Sequence, residues 1–163
     1  MTPGAGQVLR TPRLVLTPVC EGDVTQLHAH WNDAEVGRWL WDGTSVLEDA
    51  VRDLVASSER DFTRAGYGIW AIRRTTTGNV VGTCGLRETD GQLELLLSLD
   101  PGCRGRATEA GQVVLDHAVR IGGVVAFTDA DNVASQRVLA RLGMTPCDFS
   151  AQPWVRWRLG STS

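Results

Sequence analysis

The spacing of apolar positions changes period several times along the chain, and each change marks an element. Residues 13–19 (RLVLTPV) are short, apolar and rich in β-branched side chains, which predicts a strand. Residues 21–31 place Val24, Leu27 and Trp31 on one side of a short helix. Over 45–62, Val46, Leu47, Val51, Leu54 and Val55 recur at helical spacing among acids and arginines, with Ser45 placed as the cap. The period then drops to two. YGIWAIRR (67–74) and VVGTCGLR (80–87) alternate on either side of TTTGN, a hairpin pattern. After ETDGQ comes LELLLSLD (93–100), so three strands should form a meander. A helix is expected over 107–120 with Val113, Val114 and Ala118 inward, then a continuously apolar strand over 123–129. A helix over 132–143 ends at Gly143, and a strand over 153–159 closes the chain. This order predicts an α/β protein of the three-layer α+β kind, a single domain over 1–163 with loose ends at 1–8 and 160–163.

Composition narrows the chemistry. The net charge of −3 gives no global basic field, so neither nucleic acid nor a membrane surface is expected as a partner. All 16 basic residues are arginine, so there is no lysine for a nucleotide-binding P-loop or a Schiff base. The four cysteines, Cys20, Cys84, Cys103 and Cys147, show no zinc or redox spacing. His28 and His30 flank one alanine and point apart on a helix, which excludes a paired metal site. With no apolar leader and no span of about 18 apolar residues, a cytoplasmic protein with reduced thiols is expected.

The stretch PGCRGRATEA (101–110) stands between a strand and a helix. A helix N-terminus offers unpaired N–H groups and the positive end of the dipole, and glycines admit an anion to the backbone. Arg104 and Arg106 add guanidinium groups suited to phosphate. A capping turn with two solvated arginines is the plainer reading of the same residues. The absence of GK[ST] and of GxGxxG excludes a nucleotide triphosphatase and a dinucleotide-binding turn.

Gly105 and Ala107 resemble the last two positions of the Q/R-x-x-G-x-G/A loop that binds the acyl-CoA pyrophosphate in GNAT acetyltransferases. ATEA, LRTPRLVLTPV, VVGTCGL and DADNVASQRVLARLGM are similar to the subgroup typified by the ribosomal-protein acetyltransferases RimJ and RimL, in the same order from about residue 9 to 159. Gly102 replaces the leading Q/R and Cys103 replaces a common glycine; both keep the backbone N–H. The connection before GVVAF is shorter than in the subgroup.

The resemblance implies a mixed sheet of about six to seven strands with four main helices. It also implies acetyl-CoA as cofactor and an amine acceptor, with room for a homodimer. It puts Cys103, Arg104, Gly105, Arg106, Ala107 and Thr108 on the pyrophosphate. Leu97 and Leu99 would hold the pantetheine arm where their strand splays from the next, with the Leu97 N–H as oxyanion donor. Asn132, Ser135 and Arg137 would complete the coenzyme site, Ser135 donating to the departing thiolate. Cys103 in such a turn would be placed to react, with an inert spacer as the plainer reading.

Glu94, the one charge inside a leucine-rich strand that ends at Asp100, is the candidate base or amine anchor, on one side with Leu96 and Ser98. Trp39, Trp41 and Trp70 are candidates for the acceptor wall, with core packing as the alternative and, for Trp70, the plainer reading. The acceptor is expected to be a protein or peptide N-terminus. An aminoglycoside-like amine is kept open by Glu21, Asp23, Asp33, Glu35 and Asp42, and so is a non-catalytic acyl-CoA-binding module.

Overall fold

The computed structural model describes residues 7–40, 44–118, 123–148 and 153–160. The strands are β1 (Leu9–Arg10), β2 (Leu14–Pro18), β3 (Ile69–Arg74), β4 (Val80–Thr89), β5 (Gln92–Leu99), β6 (Val124–Asp129), β7 (Met144–Asp148) and β8 (Trp154–Leu159). The helices are α1 (Val24–Trp31), α2 (Ala34–Leu40), α3 (Glu48–Ala65), α4 (Ala107–Ala118) and α5 (Val133–Arg141). One sheet runs β1-β2-β3-β4-β5-β6-β8-β7.

The alternating segments pair as a meander, with Trp70 opposite Cys84 and Cys84 opposite Leu97. Eight described strands exceed the expected six or seven, and five helices exceed four. The additions are β1, β7 and α2, which are too short to carry a period. Pro146 within β7 is tolerated because that strand lies at the sheet edge. The helix expected from Ser45 begins at Glu48 instead, with Leu47 at its N-cap and exposed. Glu48 and Asp49 favour that start by meeting the dipole, and Gly66 ends the helix in the left-handed region at φ 79°. The end of the helix expected to Arg120, the short connection before GVVAF and the two chain ends lie largely outside the described residues.

Each face of the sheet has its own apolar core. On one, Leu14, Leu16, Trp70, Ile72, Cys84 and Leu86 pack with Ala110, Val114 and Leu139 of α4 and α5. On the other, Ala71 packs with Val24, Leu27, Trp31, Val51 and Val55 of α1 and α3. Burial of both faces explains why β3 opens with four consecutive apolar residues, Ile69 to Ile72.

The sheet is not continuous along its length. β5 pairs with β4 from Gln92 to Leu99, but with parallel β6 only at Leu93↔Val124 and Glu94↔Val125. Beyond these two pairs the strands diverge, while β6 continues with β8 as far as Asp129↔Trp154. The β6-facing edge of Leu96–Leu99 is therefore left without a partner strand.

Candidate active site

A cleft of about 360 Å³ opens where β5 and β6 part. Its walls are Glu94 to Leu97 of β5, Phe127 to Asp129 of β6, Asn132 and Ser135 at the start of α5, Trp39 and Leu40 of α2, and Trp154 of β8. Because side chains alternate across a strand, Leu93 and Leu95 enter the core beneath α4, while Glu94 lies on the opposite side with Ser98.

Asn132 caps α5, its Oδ1 accepting the Ser135 N–H at 3.2 Å. Gln136 ties the same turn down by donating to the Ala130 carbonyl at 2.8 Å. The cap thus fixes Ser135 at the helix start on the cleft wall. Across the cleft, Glu94 Oε2 accepts from Arg87 Nη2 at 3.0 Å and from Thr89 Oγ1 at 3.1 Å. Arg87 is its direct cross-strand partner, so the register of β4 and β5 sets this ion pair.

The glycine-rich corner is a 3-10 turn, Pro101–Arg106, running directly into α4. No protein atom lies within 4 Å of where a Cβ would stand at Gly102 or Gly105, and neither glycine has a positive φ. What these glycines supply is bare backbone beside open space at a helix N-terminus, which fits a pyrophosphate. The unpaired edge of Leu96–Leu99 leads from that corner to the cleft and fits an extended pantetheine arm, with Leu97 and Leu99 along it. Arg106 and Thr108 are half-buried, Ala107 is buried and Arg137 is exposed. The Arg104 side chain lies outside the described residues.

Cys103 departs from expectation. Its side chain is buried in the α4-side core, its N–H already bonds the Asp100 carbonyl at 2.8 Å, and Arg74 Nη2 donates to its Sγ at 2.9 Å. The 3-10 turn rotates this residue inward, so it ties the corner to β3 and offers neither thiol nor N–H to a phosphate. Cys84 is fully enclosed, and burial pushes its thiol up, which makes it inert.

Three further expectations shift. Trp70 is fully buried, with its indole donating to the Gln7 carbonyl at 2.6 Å, so it belongs to the core and not to the acceptor wall. Its position on β3 faces α4, on the side away from α2. Trp41 lies outside the described residues; Trp39 does reach the cleft. Three of the five N-terminal acids already have partners of their own. Glu21 pairs with Arg52, Asp23 is buried against Arg73, and Asp33 caps the start of α2 by accepting the Glu35 and Val36 N–H groups. Asp42 lies outside the described residues.

Two groups of residues were not anticipated. Phe127 and Trp154 line the cleft as an edge-to-face pair with centroids 5.3 Å apart. His30, buried on α1, contacts Asp100 Oδ1 at 2.7 Å through Nδ1 and Ser98 Oγ at 2.9 Å through Nε2, and Ser98 meets Thr83 at 2.8 Å. This chain of bonds fastens α1 to the last residue before the glycine-rich corner. His30→Ala is expected to lower stability by about 1–3 kcal/mol. It should also raise the KM for acetyl-CoA more than it lowers kcat. Denaturant titration and steady-state kinetics check both; a fall in kcat alone would place His30 in the chemistry.

The sheet thus splays beside a glycine-rich helix start. Residues 13–145 match the family described as acetyltransferase (GNAT) domain. The fold is similar to an acetyltransferase from Agrobacterium tumefaciens, at 22% identity and TM-score 0.79 over 94% of each chain. It is also similar to a GNAT-family acetyltransferase from Bacillus anthracis, at 19% identity and TM-score 0.73 over 93% of this chain and 95% of that one. A third similar structure is RimL, the ribosomal L7/L12 alpha-N-protein acetyltransferase in complex with coenzyme A. That match has 20% identity and TM-score 0.76 over 93% of this chain and 96% of that one. The chain belongs to the GNAT acetyltransferase family, and it uses acetyl-CoA and an amine acceptor.

Proposed function

We propose that the acceptor is the α-amino group of a peptide or protein N-terminus. One observation carries this reading: among the described residues, the ionisable side chains lining the cleft are Glu94 and Asp129, and Glu94 is already held by Arg87 and Thr89. Such a site suits an amine that sheds its proton readily. An α-amino group with pKa about 7.7–8.0 does so near neutrality, whereas a lysine amine near 10.4 needs a strong base. The RimL structure, described as an alpha-N-protein acetyltransferase, supports the same choice.

Acetyl-CoA supplies the activated acyl group. The bare backbone at Gly102 and Gly105 holds its pyrophosphate, and the free edge of β5 aligns its pantetheine arm. The Leu97 N–H donates to the carbonyl oxygen as charge develops there. Glu94, held by Arg87 and Thr89, attracts the incoming amine, whose proton passes to water. The Ser135 hydroxyl donates to the departing sulfur, and Asn132 keeps it in position.

Ser135→Ala should lower kcat by about 100-fold with little change in the KM for acetyl-CoA, the low end for general-acid assistance because a thiol leaves easily. An unchanged kcat would reduce Asn132–Ser135 to a helix cap. The acceptor reading is tested with three substrates at equal concentration: a lysine-free peptide with a free N-terminus, an N-blocked peptide containing lysine, and an aminoglycoside. Only the first should turn over well, with kcat/KM rising as pH approaches the pKa of its amine. Preference for either of the others overturns the reading.

A further inference from the structure

Phe127 and Trp154 leave 40% and 37% of their surface in the open, although both stand in the middle of the fold's cleft rather than on an outer edge. Phe127 falls on the side of β6 away from the α4-side core, because Val124 and Ala126 enter that core and side chains alternate. This is the side that Glu94 occupies on β5, since Glu94 is the register partner of Val125. Trp154 stands opposite Asp129 across the β6–β8 pairing, two residues along from Phe127 and so on the same side. Trp39 of α2 lines the same space from the far wall, with Arg38 stacked on its ring at 4.5 Å. Three aromatic rings thus share one pocket with the carboxylates of Glu94 and Asp129.

Paired rings left wet in a cleft gain from an apolar occupant, and edge-to-face arrangements accept a further ring readily. Carboxylates beside them suit a positively charged or hydrogen-bonding amine. The juxtaposition matches a molecule carrying an amine and a large apolar group on the same carbon.

We propose that Phe127, Trp154 and Trp39 form the subsite for the acceptor's first side chain, and that the preferred acceptors are N-termini opening with an aromatic or large aliphatic residue. This rests on the N-terminal reading above and adds to it the identity of the first residue. A serine or glycine in that place would leave the rings exposed to water.

The test uses a lysine-free peptide series that differs only in the first residue, Phe, Leu, Ser or Gly, together with phenethylamine. Initial rates are measured for the wild-type protein, Phe127→Ala, Trp154→Ala and the conservative Trp154→Phe. The Phe and Leu peptides should exceed the Ser and Gly peptides in kcat/KM by about 10- to 100-fold, the range an apolar pocket achieves. Either alanine variant should shrink that ratio to a few-fold, and Trp154→Phe should restore most of it. Titration with acetyl-CoA confirms that each variant is folded. Equal rates across the four peptides overturn the inference and leave the N-terminal reading standing. Turnover of phenethylamine with none of the peptides overturns the N-terminal reading, and the inference as stated falls with it. A selectivity ratio untouched by both alanine variants, accompanied by loss of a dimer on sedimentation, assigns the rings to a subunit contact and overturns the inference.

Discussion

Gly105→Asp is expected to leave the protein folded and to weaken acetyl-CoA binding by about 100-fold or more. The two halves of this result have separate causes. Gly105 is exposed, lacks a positive φ, and has no protein atom within 4 Å of the position a Cβ would take. The fold therefore loses nothing by the substitution. A carboxylate just before α4 even favours the free helix, because it meets the positive end of the dipole. The same charge opposes a pyrophosphate, at about 4 kcal/mol for a unit pair 4 Å apart at an effective dielectric constant near 20. About 3 kcal/mol of that already corresponds to more than 100-fold in affinity. Calorimetric titration with acetyl-CoA, CoA and desulfo-CoA, beside a thermal melt of the free protein, reads both halves. Unchanged binding would move the pyrophosphate away from this corner.

Trp70→Ala should have the opposite character, a large loss of stability with no selectivity between acceptors. The indole is fully buried, stacks edge-on with Phe62 at 4.8 Å and His117 at 5.3 Å, and donates to the Gln7 carbonyl. Truncating a buried tryptophan costs about 3–5 kcal/mol, a substantial part of the 5–15 kcal/mol that typically separates folded from unfolded chains. The denaturant midpoint should fall accordingly. Trp39→Ala, by contrast, removes a half-buried cleft residue and should shift the midpoint far less. A small effect of Trp70→Ala on stability would contradict the core described for this face.

These two substitutions also show what the sequence could convey. The glycine-rich corner was legible because its signal is local: glycines, arginines and a helix start within ten residues. The meander was legible because alternation fixes strands and their turns. For Trp70 core packing was the plainer reading of an alternating strand, but both faces of β3 are buried and alternation alone cannot say which face meets α4. Cys103 looked available because the 3-10 turn that rotates it inward has no signature in residue type. His30 has only His28 as a sequence neighbour of its kind, whereas its partner Asp100 lies 70 positions away. Phe127 sits in an apolar run that reads as wholly buried; it is uncovered only because β5 and β6 part, and that divergence leaves no mark on the composition of either strand.

The divergence has a consequence for how the molecule holds together. Five strands, β1 to β5, and three, β6 to β8, are joined within the sheet by only two residue pairs. This is the seam along which cooperative unfolding units would divide, the smaller comprising β6 to β8 with α5. Acetyl-CoA bound in the cleft as proposed would touch both units, and its binding energy would become cohesion between them. At a hundredfold excess over its dissociation constant, a ligand that binds only the folded state adds about 2.7 kcal/mol to global stability. Resistance to proteolysis would then track the supply of acetyl-CoA, making turnover of the protein itself responsive to the metabolite it consumes.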